Sequence, residues 1–123
     1  MSETRDQLLF DLFTTACEGG INYWASVTHY QWKDAKGNED VKGFSASIVD
    51  MEADDYKGED PKRIDRSVIA KGYRLATTEF RDRICWSCDK PPVVITPDTD
   101  WDYDASDADV IAQLGLFGDV VYG

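Results

Sequence analysis

The chain has 123 residues, 42% of them hydrophobic and 12% aromatic, with 24 acidic against 13 basic side chains and a formal net charge of −11. That length suits one domain able to bury a core without disulfide or metal staples, and the aromatic content excludes a disordered acidic chain. The charge argues against direct contact with nucleic acid or an anionic membrane, both of which require a basic footprint, and favours a basic partner.

No apolar run approaches the length of a membrane span, and Met1-Ser2-Glu3-Thr4-Arg5 lacks the pattern of a secretory signal. The expected location is the cytoplasm. Cys17, Cys85 and Cys88 fit a reducing compartment. Cys85-Trp86-Ser87-Cys88 supplies two thiols where a closed zinc site needs four ligands, and Cys17 with His29 would have to complete the set. Cys17 lies on an apolar helical stripe, where a small buried thiol is the simpler reading.

The first expected helix is capped by Thr4 with Gln7 three residues on. It carries Leu8, Leu9, Leu12, Phe13, Ala16 and Cys17 on one face and turns Asp6, Asp11 and Thr15 to water. Glu18-Gly19-Gly20 ends it, with glycine taking the left-handed C′ position. Ile21 to Trp32, rich in aromatic and β-branched residues, reads as a strand, and Tyr23 and Trp24 point to opposite faces, one inward and one free for contact. Lys33 to Asp40 is a turn around Gly37-Asn38. Val41 to Glu52 alternates, with Phe44, Ala46, Ile48 and Asp50 on one side, and pairs with the preceding strand as a hairpin.

Ala53 to Arg63 reads as a charged surface loop. Asp65 caps a second helix carrying Val68, Ile69, Gly72, Tyr73, Leu75, Ala76 and Phe80, with Lys71, Arg74, Arg81 and Arg83 on its basic side. A third helix starts at Ser106-Asp107-Ala108-Asp109 and stops at Gly118; Asp119-Val120-Val121-Tyr122 is expected to be a short strand. The implied architecture is one α+β domain over residues 1–123: a small, mostly antiparallel sheet with about three helices packed on it.

Asp98, Asp100, Asp102 and Asp104 occupy every second position, interleaved with Thr99, Trp101 and Tyr103. In an extended segment they share a face and repel unless a cation, a helix N-terminus or a basic partner compensates them. Counted from Asp98, residues 98, 100, 102, 104, 106 and 109 match the oxygen-ligand spacing of a calcium loop. Tyr103 stands where that loop wants glycine, however, and Asp109 where it wants glutamate. An acidic loop feeding a capped helix satisfies the same residues.

Three blocks together, Glu18-Gly19-Gly20-Ile21-Asn22-Tyr23-Trp24, the stretch DRSVIAKGYRL from Asp65, and the ending LFGDVVYG, resemble a group of small proteins of unassigned activity. That group is encoded by actinobacterial phages and some other tailed phages. The resemblance implies a phage origin and a life in the host cytosol, and implies no activity or site residues.

Chemistry is sparse. There is one histidine, His29, no Gly-x-Ser-x-Gly, no phosphate-binding glycine loop and no dinucleotide fingerprint, so the chain reads as a non-enzyme without a cofactor. The expected function is a phage accessory protein that binds and modulates a host protein, with Tyr23, Trp24, Trp101, Tyr103, Asp98, Asp100, Asp102 and Asp104 as candidate contacts and Trp32 and Trp86 as further anchors. A DNA-mimic version adds Asp50, Glu52, Asp54 and Asp55 as phosphate surrogates. The alternative is a small-molecule or nucleotide-sequestering protein with aromatics beside Lys71 and Arg74. A calcium- or zinc-stabilised module is the third reading.

Overall fold

The computed structural model describes residues 2–51, 61–86, 89–99 and 101–122. Helix α1 (Ser2–Thr15) runs into a single π-helical turn, Ala16–Gly20, and is followed by strands β1 (Ala25–Gln31), β2 (Ser45–Asp50) and β3 (Lys62–Asp65), then by α2 (Arg66–Ala76) and α3 (Ala105–Phe117). The three strands form one antiparallel sheet in the order β1-β2-β3, so the α+β reading holds. No helix among the described residues is long and apolar enough to cross a membrane.

Helix α1 buries Leu9, Phe10, Leu12 and Phe13 and starts at Ser2, so Thr4 is inside it rather than its cap. Asp6, expected to face water, is 1% exposed. It accepts a hydrogen bond from Arg66 Nε at 2.9 Å, with Lys42 3.9 Å away on the solvent side. The buried carboxylate is therefore paired, which is the condition for burying it at all. The exit from α1 also differs from expectation. The π turn widens the last turn by one residue, and the only left-handed glycines are Gly37 and Gly118 among the described residues. Gly20 is small for a different reason: a Cβ there would lie 2.8 Å from the Ala105 carbonyl oxygen.

Strand β2 alternates as expected, with Ala46, Ile48 and Asp50 buried and Phe44 just ahead of them. It pairs with β1 from Ala25↔Asp50 to Thr28↔Ser47, then shifts by one residue to Gln31↔Ser45. The extra residue is a β-bulge, and His29 takes φ of 51° there. Residues Ile21 to Trp24 turn rather than extend, so the strand starts at Ala25. Strand β3 pairs through Ser45↔Asp65 and Ile48↔Lys62, and its first two residues, Lys62 and Arg63, fall in what reads in sequence as loop. Asp65 then caps α2 by accepting from the Val68 amide at 3.2 Å.

Helix α3 is the centre of the body, with Asp107–Asp109 and Ile111–Gly115 buried. Its cap is Asp104, not Ser106: the Asp104 carboxylate accepts from the Asp107 amide at 3.1 Å, and Asp107 reaches back to the Asp104 amide at 3.3 Å. Gly118, at φ 74°, ends it as expected. Helices α2 and α3 meet backbone to backbone. A Cβ on Gly72 would sit 2.0 Å from the Ile111 carbonyl oxygen, and one on Gly115 2.1 Å from that of Val68.

Candidate functional site

The turn after Gly20 sets two aromatic side chains against α3. Ile21 bonds back to the Ala16 carbonyl at 3.0 Å, and the Trp24 and Ala25 amides both bond to the Ile21 carbonyl, at 3.1 and 2.9 Å. Trp24 is 0% exposed, between Phe117 at 5.5 Å and a stacked Tyr122 at 5.2 Å, so it is a core residue and not a contact for a partner. Tyr23 takes the other face and is 53% exposed. A buried indole N–H needs an acceptor. Trp24 Nε1 donates to Asp109 Oδ1 at 2.8 Å, and the Tyr23 hydroxyl donates to Asp109 Oδ2 at 2.6 Å.

Gln113, one turn along α3, completes this cluster. Its Nε2 donates to Asp109 Oδ1 at 2.9 Å and to the Tyr122 carbonyl at 3.1 Å, while its Oε1 accepts the Val121 and Tyr122 amides, each at 2.8 Å. The expected terminal strand is therefore not a strand. Its Val121 and Tyr122 amides are satisfied by the Gln113 side chain, and that of Val120 by the Asp119 carboxylate, instead of by a neighbouring chain segment. The Tyr122 hydroxyl donates to Asp50 Oδ2 at 2.6 Å, which ties the tail to the sheet and explains the buried aspartate in β2.

Tyr23, Asp109 and Tyr122 of this cluster line a cleft of about 540 Å³. Gly19, Gly20, Ile84, Cys85 and Val120 share its lining. Asp109 is 7% exposed and accepts three hydrogen bonds, yet has no cationic side chain within 4.0 Å among the described residues. Burial pushes the Tyr23 phenol up to about 12, and the hydrogen bond to Asp109 and its charge add to the shift. Tyr23 thus keeps its proton at neutral pH and spends it on Asp109. His29 is exposed on β1 and does not line the cleft.

The remaining sequence candidates lie elsewhere. Asp98 and Asp102 are exposed, Asp104 is spent on the α3 cap, and Asp100 is outside the described residues. The calcium spacing does not form a loop. Residues 105 to 109 are helical, and the Asp109 carboxylate is bonded to Trp24, Tyr23 and Gln113. Among the described residues no three His, Cys, Asp or Glu side chains converge as a metal site. Cys17 is buried, its thiol pushed up to about 12 by burial and by Glu18, while Cys85 is exposed and Cys88 lies outside the described residues.

Trp101 and Tyr103 are half-buried and pack on each other at 5.0 Å, with Trp101 edge-on to Tyr73 at 5.9 Å. Trp101 Nε1 donates to the Asp89 carbonyl at 3.0 Å, so the pair pins its loop to α2, away from the cleft. Trp86, offered as an anchor, is buried and donates to the Arg81 carbonyl at 3.1 Å. Trp32 is half-buried under Lys33. Of the residues singled out in sequence, the structure joins Tyr23 and Trp24 in one cluster. Of the partners that make the site, Asp109 stands out in sequence only as a calcium-spacing position and Tyr122 only within the LFGDVVYG block, and Gln113 carries no motif. No protein-family model, curated protein or solved structure matches the chain.

Proposed function

We propose that the chain is a non-catalytic binding protein that docks on a basic protein of a host cytosol, with the Tyr23–Asp109 cleft receiving a lysine or arginine side chain. The observation that carries this reading is the Asp109 carboxylate, almost buried at the wall of an open cleft and without a cation among the described residues. A charge set in a low-dielectric wall focuses its field into the opening, and the net charge of −11 adds a steering term of the same sign. The exposed Tyr23 ring gives an arriving cation a π face. Glu18 and Asp119, each next in sequence to a lining residue, are exposed. The phage-like blocks support a host protein as the partner.

Affinity capture from host lysate at low and moderate salt, with the parent chain and with Tyr23→Ala and Asp109→Asn, tests the proposal. One basic partner, weakened by salt and lost from both variants, is the expected result. A partner held equally by both variants removes the cleft from the account. Competition of that partner by duplex DNA separates phosphate mimicry from other acidic contacts. Any mimicry has to do without Asp50, which is buried and bonded to Tyr122.

A further inference from the structure

We propose a second site, of opposite charge, that takes the phosphoryl group of a small phosphorylated organic molecule in the cavity between α1 and α2. Three cations converge there. Lys71 and Arg74 stand one turn apart on α2, and Arg5 of α1 lines the same cavity of about 280 Å³. The Arg5 and Arg81 charges both act on the Tyr73 hydroxyl, so positive potential reaches the cavity wall from two elements. The chain has 24 acidic and 13 basic residues, and some of its cations pair with carboxylates. Arg66 and Lys90 do, on Asp6 and Asp82. Among the described residues Arg5, Lys71 and Arg74 have none within 4.0 Å. Like charges held together without a counter-ion are unfavourable until an anion arrives.

The chemistry of that anion follows from the cavity. Two guanidinium forks and an ammonium match the oxygens of a phosphoryl dianion. The Thr77 hydroxyl is not available, since it donates to the Tyr73 and Arg74 carbonyls, both at 3.1 Å. Part of the lining is aliphatic: Val93 lines the cavity 63% exposed, and Val94, next in sequence, is 70% exposed. That stretch is held in place by Tyr73, whose hydroxyl donates to the Pro92 carbonyl, and by Arg81, which donates to that of Pro91. An apolar side chain in the same lining as three cations suits a phosphomonoester with an organic body. The volume is at the lower edge of ligand cavities, about 300 Å³ and above, so it admits a mononucleotide-sized molecule and not a polymer.

Titration of 15N-labelled protein with adenosine 5′-monophosphate at constant ionic strength tests this. Saturable shifts confined to the amides of residues 70–77 and 93–94 are expected, with adenosine alone giving none. Lys71→Ala and Arg74→Ala, both at exposed helix positions, should each weaken binding about tenfold or more while the spectrum stays dispersed. No saturable shift at millimolar ligand, shifts centred elsewhere, or unchanged affinity in both variants would overturn the site. Inorganic phosphate binding as tightly as the nucleotide would overturn the role given to the valine lining.

Discussion

Replacing Asp109 by alanine and by asparagine separates what its shape does from what its charge does. In Asp109→Ala three donors lose their acceptor, at 2.6, 2.8 and 2.9 Å in the parent. Tyr23 is half-exposed and turns to water at little cost, whereas Trp24 Nε1 is sealed in the core. An orphaned buried donor costs about 1–3 kcal/mol, and Gln113 keeps its bond to the Tyr122 carbonyl, so the total is about 2–4 kcal/mol. Asparagine keeps an oxygen where Trp24 and Gln113 bond, and its amide can donate to the Tyr23 oxygen once that hydroxyl rotates. Only charge assistance is lost, about 1 kcal/mol, offset in part by relief of repulsion in a chain of −11. Urea denaturation should place alanine below asparagine by about 2 kcal/mol, a large fraction of a stability of about 5–15 kcal/mol. Equal midpoints, or asparagine the less stable, would refute the hydrogen-bond account. The asparagine variant then carries the functional question, because it removes the cleft's charge and keeps its walls.

Two further outcomes are expected. Gly72→Ala should destabilise by about 2 kcal/mol, because the obstructing atom is the Ile111 carbonyl and α2 must move off α3, which outweighs the gain of about 1 kcal/mol in helix propensity. Gly19→Ala, with nothing within 4 Å of the new Cβ, should be neutral or stabilising, and equal effects in the two variants would contradict the close helix crossing. Stability should also fall on the alkaline side. Burial raises the phenols of Tyr23, Tyr30, Tyr73 and Tyr103 and the Cys17 thiol, so the folded state holds these protons more tightly than the unfolded one. Their contribution is complete below the unfolded values, about 8.5 for cysteine and 10 for tyrosine, and is lost as pH rises toward the folded ones. Denaturation midpoints that stay flat from pH 8 to about 11.5, where unfolded phenols already ionise, would count against it.

Much of the fold is legible because local chemistry and packing agree in those segments. The alternation through Phe44, Ala46, Ile48 and Asp50 is the buried face of β2, and the Asp65 cap fixes the start of α2. Where reading and structure part, a tertiary partner decides. Strand β3 has the sequence KRID, with one core residue, Ile64, and it exists because β2 offers it an edge. Val120-Val121-Tyr122 has strand composition, yet its amides go to side chains, that of Val120 to Asp119 and those of Val121 and Tyr122 to Gln113. Glycine at position 20 reads as a helix stop, while the structure requires it for the approach of α3. Composition cannot tell these two uses of glycine apart, since both need the missing Cβ.

The site was half hidden for a related reason. In a chain with 24 acidic residues, one more aspartate attracts no notice, and the evenly spaced run from Asp98 to Asp104 draws attention to residues that are exposed or spent on a cap. A better signal lies further on, in Ala108 to Phe117, ADVIAQLGLF, which is apolar but for two residues. Such a helix belongs inside the body, and any polar residue on it must then be bonded internally or leave a buried group unsatisfied. Asp109 and Gln113 are its two polar members and lie one turn apart. Their partners have to be donors brought from other elements, and buried tryptophan and tyrosine side chains supply such donors. Read this way, the helix designates its own aspartate as the hub, and Tyr23-Trp24 becomes the natural source of two of the three hydrogen bonds that the structure shows.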